Sequence, residues 1–78
     1  MKTVSIGMIV EINSILKGKG LPYKIHLHDA CGAQAMEIES LEEDNEQFEA
    51  AVSAINEYFS LHGMETVFIP GGKNFTVK

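Results

Sequence analysis

The stretch that decides the fold is PYKIHLHDACGAQAMEIE, residues 22–39. Apolar and polar residues alternate in its first part, with Tyr23, Ile25 and Leu27 on one side and lysine and histidine on the other. Alternation returns over residues 33–39, where Met36 and Ile38 lie on the apolar side. This period of two predicts two strands that each bury one face and expose the other.

The residues between these strands, Asp29-Ala30-Cys31-Gly32, have the chemistry of a hairpin loop. Aspartate bonds its own following backbone, and glycine adopts the positive φ that closes the turn. With residues 29–32 as the loop, the register pairs one apolar face and sets opposite charges across the ladder, whereas a slip of one residue loses both. The predicted pairs are His28 with Ala33, His26 with Ala35, Ile25 with Met36, Lys24 with Glu37, and Tyr23 with Ile38.

Two apolar stripes with helical spacing accompany this hairpin. The first predicts a helix from Ser5 to Lys17, with Ser5 as N-cap and glycines as the stop signal. The second predicts a helix that begins near Asp44, because Asp44 and Gln47 form a capping box. The first stripe contains Met8, Ile9, Ile12, Ile15 and Leu16; the second contains Phe48, Ala51, Val52, Ile55, Phe59 and His62.

Two short β-rich runs follow, residues 65–69 and 74–78, around the turn Pro70-Gly71-Gly72. We expect the second run to form an edge strand. An offset of 43 residues aligns Gly20 with Gly63 and the two apolar stripes with each other. We therefore predict a single domain over residues 1–78 with two similar halves, about 1–40 and 41–78. The fold class is an α+β two-layer sandwich of order αββαββ, with two helices on one face of a four-stranded, mostly antiparallel sheet.

The charge balance excludes several partners. The chain has 78 residues, eleven acids, six lysines and no arginine, for a net charge of −5. Nucleic-acid binders need clustered cations, so we expect no nucleic acid. No apolar run has the length of a membrane span, so we expect no membrane partner. Seven of the acids lie in residues 37–49, which predicts a solvated acidic face and a negatively charged helix start.

The single cysteine, Cys31, indicates a reducing compartment. The chain cannot form an internal disulfide, and zinc fingers and CxxC redox motifs need more thiols. The first residues lack the apolar core of a signal peptide. We therefore expect a cytoplasmic protein.

The sequence favours a non-enzymatic binding or interaction domain, because it shows no assembled catalytic set and leaves one sheet face open. The partner is a second copy of the chain or another protein, and no cofactor is expected. Lys24, Asp29, Gly32 and Glu37 are the candidates for the binding surface or its turn.

The alternative is a metal-binding or thiol-dependent protein. His26 and His28 are two residues apart on a strand, so both imidazoles project from one face. With Cys31 they form a candidate set for a divalent transition metal such as zinc.

Residues 20–32, GLPYKIHLHDACG, resemble the signature of short bacterial proteins of the RDAC type, so named after an Arg-Asp-Ala-Cys motif. The motif here is His28-Asp29-Ala30-Cys31, so its first position departs from the pattern, and the similarity covers about the first half of the chain. The resemblance implies no established activity, cofactor or partner. It marks Asp29, Cys31 and Gly32 as the matching turn residues.

Overall fold

The computed structural model describes residues 3–30, 33–42, 46–70 and 73–78. The described strands form a sheet in which each neighbouring pair is antiparallel, in the order β1-β2-β4-β3. Both helices pack on one face of this sheet, so the predicted α+β sandwich of order αββαββ is confirmed. The elements are α1 Ile6–Gly18, β1 Tyr23–Ala30, β2 Ala33–Ser40, α2 Phe48–Leu61, β3 Thr66–Phe68 and β4 Asn74–Val77.

The hairpin of β1 and β2 has a different register from the predicted one. The first strand continues two residues further toward the tip than predicted, whereas the second begins at Ala33 as predicted, so that Asp29 pairs with Gln34 inside the ladder. The prediction of residues 29–32 as a four-residue loop was wrong, because Asp29 and Ala30 belong to ladder pairs. Because the shift is by two, every side chain keeps its predicted face. The observed pairs are Tyr23–Ser40, Lys24–Glu39, Ile25–Ile38, His26–Glu37, Leu27–Met36, His28–Ala35, Asp29–Gln34 and Ala30–Ala33.

The last strand, β4, lies inside the sheet, so its prediction as an edge strand was wrong. It pairs with β2 on one side and with β3 on the other. The physical reason is Phe75, which is fully buried and stacks edge to face under Phe59 of α2 at a centroid distance of 5.9 Å. A phenylalanine in this position needs strands on both sides to exclude water, and the shorter β3 takes the edge.

The two helices end in the same way, as the 43-residue offset suggests. Gly20 and Gly63 have φ of 73° and 74°, a conformation that L side chains rarely adopt. Each glycine follows its helix in a Schellman motif, in which two backbone N–H groups return to the last helical turn. These bonds run from Gly20 to Lys17, from Leu21 to Leu16, from Gly63 to Ser60 and from Met64 to Phe59, at 2.8–3.0 Å.

The helix α2 begins later than the capping box predicts. Gln47 occupies the N-cap position, and Asp44 lies outside the described residues. The acid in the first turn is Glu49. The start of the helix is set by packing, because the ring of Phe48 lies edge to face on Tyr23 at 5.9 Å. The prediction that Asp44 and Gln47 form a capping box at this helix was therefore wrong, whereas Glu49 gives the helix start a negative charge.

The helix α1 is held to the hairpin by two side-chain amides. The Asn13 amide donates to the carbonyl of Ile25 (3.1 Å) and accepts from its N–H (2.7 Å). The Gln34 amide bonds the backbone of Val4 in the same two-point manner, at 2.9 and 2.8 Å. We call these two contacts the amide clamps.

The spacing of the amide clamps aligns the helix with the strands. Val4 and Asn13 are nine residues apart in a mostly helical segment, which spans about 13 Å at the helical rise. Ile25 is four residues from Asp29, the partner of Gln34, and this also spans about 13 Å along a strand. The two distances agree, so α1 lies antiparallel to β1 with a clamp at each end of the contact.

The Asn13 clamp also protects the free edge of the sheet. In an antiparallel ladder, every second residue of an edge strand points its N–H and C=O outward, where another strand could pair. At Ile25 both groups are taken by Asn13. The other edge is limited by the three-residue length of β3.

Replacing the clamp tests its contribution to stability. We expect Asn13→Ala to lower the free energy of unfolding by about 1–3 kcal/mol, because it leaves two half-buried backbone groups without their partner. Urea denaturation measures the change. Ser14→Ala is the matched control, since Ser14 is exposed on the same helix and the substitution changes helix propensity similarly. Equal unfolding midpoints for the two variants would contradict the clamp.

Candidate functional site

The open face of the sheet is the surface opposite the helices. On β1 and β2 it carries Lys24, His26 and His28 opposite Glu39, Glu37 and Ala35. The remaining half of the face, on β4 and β3, carries Asn74, Thr76, Val67 and the adjacent Ile69. The face is therefore charged on β1 and β2, and we call its other half the apolar half because Val67 and Ile69 lie there beside the two uncharged polar residues of β4.

Two diagonal histidine–glutamate pairs cross the polar half. Nε2 of His26 lies 2.7 Å from Oε1 of Glu39, and Nε2 of His28 lies 2.9 Å from Oε1 of Glu37. Each carboxylate accepts from an imidazole N–H, so the pairs run in parallel along the ladder. All four side chains are at least about one third exposed, from 38% at His26 to 61% at His28. Exposed pairs of this kind contribute at most about 1 kcal/mol each, so they shape the surface more than they stabilise the fold.

The apolar half of the open face has exposed aliphatic side chains. Val67 is 40% exposed and Ile69 is 45% exposed. The N–H of Ile69 bonds the carbonyl of Asn74 at 2.9 Å, which continues the β3–β4 pairing and keeps Ile69 on the same face as Val67. This half borders the β3 edge, farthest from the histidine–glutamate pairs.

The structure describes two of the three predicted metal ligands, His26 and His28. His26 and His28 project from the same face, and each has its own glutamate partner. Within residues 3–30, 33–42, 46–70 and 73–78, no group of three histidine, cysteine, aspartate or glutamate side chains could hold a metal ion. Cys31 lies outside the described residues. The set of His26, His28 and Cys31 therefore stays a prediction.

The other predicted binding residues separate from one another. Lys24 pairs with Glu39 instead of Glu37, and Glu37 pairs with His26. Asp29 lies within β1, where Gln34 Nε2 approaches its carboxylate at 3.5 Å. Gly32 lies outside the described residues.

A buried phenol at the helix interface was missed in the sequence. Tyr58 of α2 is 7% exposed, and its hydroxyl donates a hydrogen bond to Glu11 of α1. Its ring also lies 4.5 Å from that of His62, which is exposed at the end of α2 instead of facing the core. The missed signal was position: Tyr58 follows Ala51 by seven residues and Ile55 by three, the spacing of the buried stripe.

The Tyr58 phenol has a strongly shifted pKa. Burial raises its pKa to about 12, and the hydrogen bond and negative charge of Glu11 act in the same direction. A general acid or base works best with a pKa near the working pH. The pKa of Tyr58 is therefore further from neutral pH than that of a free phenol, which makes Tyr58 unsuited to proton transfer. Its hydrogen bond to Glu11 joins the two helices instead.

Comparisons with protein-family models, with curated proteins and with solved structures gave no match. Neither described helix combines the length and the apolar character that a membrane crossing requires.

Because the pKa of Tyr58 is raised on folding, the free energy of unfolding should change with pH in the alkaline range. Unfolded Tyr58 loses its proton near pH 10, whereas folded Tyr58 keeps it to about pH 12. Its contribution is therefore complete below pH 10 and is lost as the pH rises to 12. We expect the unfolding free energy of the wild type to fall over this range by more than that of Tyr58→Phe, as measured by urea denaturation at each pH. Parallel losses in the two proteins would show that Tyr58 does not carry this dependence.

Proposed function

We propose that the protein is a small, non-enzymatic binding module that uses the open face of its sheet as a contact surface, with a second copy of the chain as the partner. The observation that carries this proposal is the pair of exposed aliphatic side chains, Val67 and Ile69, on a sheet face that no described element covers. The lone Cys31 supports a cytoplasmic setting, and the lack of arginine argues against nucleic acid as the partner.

The distribution of polarity on the face supports a contact centred on β3 and β4. Burying apolar area contributes about 25 cal/mol per Å², so Val67 and Ile69 favour contact with another surface. The histidine–glutamate pairs already satisfy each other and can remain hydrated at the rim. Removing these charges from water would oppose association. The apolar half is therefore the interface core and the polar half its border.

A second copy fits this surface because closed two-fold dimers use the same patch on both subunits. The exposed Asn74 and the half-buried Thr76 lie beside Val67 and Ile69, so a two-fold axis near β3 and β4 brings aliphatic side chains over small polar ones. This contact leaves both edges of the sheet as they are, the edge at β1 that Asn13 protects and the short edge at β3.

The oligomeric state tests the proposal. We expect size-exclusion chromatography with light scattering to give twice the 8.6 kDa chain mass for the wild type. Val67→Glu should give the single-chain mass, because a carboxylate at the interface core is costly to bury. Val10→Glu is the matched control, since Val10 is also exposed but lies on α1. A wild type that stays a monomer at about 1 mM, the weak limit of a specific contact, would overturn this proposal.

Metal binding at His26, His28 and Cys31 is the second candidate function, with thiol chemistry of Cys31 as its variant. The observation that favours it is the shared face of two imidazoles, each with a carboxylate at hydrogen-bond distance. Carboxylates in this relation orient histidines that ligate a metal through the other ring nitrogen.

On this second candidate, Zn²⁺ raises the melting temperature by several degrees, since a ligand that binds only the folded state stabilises it. The double variant His26→Ala/His28→Ala should abolish the rise, while His62→Ala, a histidine on α2's end, should retain it. Differential scanning fluorimetry with and without Zn²⁺ measures all three proteins. An unchanged wild-type melting temperature, or an equal rise in the double variant, would exclude the site.

A further inference from the structure

A groove of about 450 Å³ lies where the C-terminal turn of α1 meets the start of β1, away from the apolar half of the open face. Its lining is mostly apolar, with Leu21, Pro22, Tyr23 and Leu41, and it also includes Lys17 and Lys24. Leu41 is 56% exposed, which is high for a leucine in an apolar lining.

The chain is acidic overall, but lysines are concentrated at the groove and next to it. Lys17, Lys19 and Lys24 are three of the six lysines and lie within eight residues of a chain whose net charge is −5. Among the described residues, the ion pairs within 4 Å do not involve these three lysines. Their charge is therefore available to an acidic partner.

The backbone beside the groove limits how a partner can bind. The N–H of Tyr23 bonds the carbonyl of Leu21 at 2.9 Å, and both backbone groups of Ile25 are held by Asn13. An added strand would find these groups occupied at this end of β1. A partner must therefore dock through its side chains.

The shape of the groove favours a protein segment over a small molecule. Sites for small ligands bury most of the ligand surface in an enclosed pocket. This groove is open to solvent, and its lining combines apolar side chains with two lysines. An extended chain can place one apolar side chain on such a lining while its carboxylates face the lysines.

We propose that this groove docks an acidic segment of another protein, which seats one apolar side chain on Leu21, Pro22 and Leu41 and directs its carboxylates to Lys17 and Lys24. The proposal is independent of the contact at Val67 and Ile69, because Lys24 lies on β1 and Val67 on β3, at opposite edges of the sheet.

The test is a titration of ¹⁵N-labelled protein followed by two-dimensional NMR, with the blocked peptide Glu-Glu-Leu-Glu-Glu as probe. We expect saturable shifts at the amides of Gly20, Leu21 and Leu41, with a dissociation constant of about 1 mM or tighter. A comparator peptide with serine in place of leucine should bind at least about fivefold more weakly, because the apolar anchor is missing.

Two variants and two controls assign the binding to the groove. Lys17→Glu and Leu41→Ser should each weaken the probe about fivefold to tenfold. Lys73→Glu makes the same charge change elsewhere, and Leu61→Ser removes another exposed leucine; both should stay within about twofold of the wild type.

Three outcomes would overturn the proposal. The first is the absence of saturable shifts at the groove amides. The second is equal binding of the serine peptide or equal weakening by Lys73→Glu, either of which would show nonspecific charge attraction. The third is saturation of the same amides by decanoate at a concentration where the peptide gives none, which would assign the groove to a small amphiphilic carboxylate.

Discussion

The rest of the structure depends on the two amide clamps that tie α1 to the hairpin. Asn13 and Gln34 each bond a backbone N–H and C=O in pairs, at distances of 2.7–3.1 Å. Apolar packing between a helix and a sheet tolerates sliding, because dispersion and hydrophobic contacts have little directionality. Paired hydrogen bonds do not tolerate such sliding, because their donor–acceptor distances and angles are narrowly defined. The clamps therefore fix the position of the helix along the strands, while the core contributes most of the stability.

Both candidate surfaces follow from that placement. With α1 held on the core side of β1, and α2 packed beside it through Tyr58 and Glu11, the helical layer covers one face and leaves the other open. The C-terminal turn of α1 then lies over the start of β1, and the Gly20 Schellman motif turns the chain back beneath it. The groove that includes Lys17 and Lys24 is formed by this return.

The sequence predicted what depends on periodicity and failed where single contacts decide. Alternation assigned Ile25, Met36 and Ile38 to the core face. This assignment is correct although the predicted register was wrong, because a shift of two residues keeps each side chain on its face. The inner position of β4 could not be read from the strand itself, since it depends on Phe75 meeting Phe59 across the layers. The histidines were placed on one face correctly, but their diagonal glutamates depend on the true register. Asn13 and Gln34 gave no signal, because an isolated polar residue has no period and reveals its partner only in three dimensions.

The most direct measurement of the central claim is the hydrogen-exchange rate of the Ile25 amide by NMR. This amide points to the free edge of the sheet, where an unpartnered N–H exchanges rapidly, yet Asn13 accepts its proton at 2.7 Å. We expect Ile25 to exchange about as slowly as its cross-strand partner Ile38 in the wild type, and at least about tenfold faster in Asn13→Ala. Rapid exchange of Ile25 in the wild type, or the same slow rate in the variant, would show that the clamp does not hold the helix to the edge.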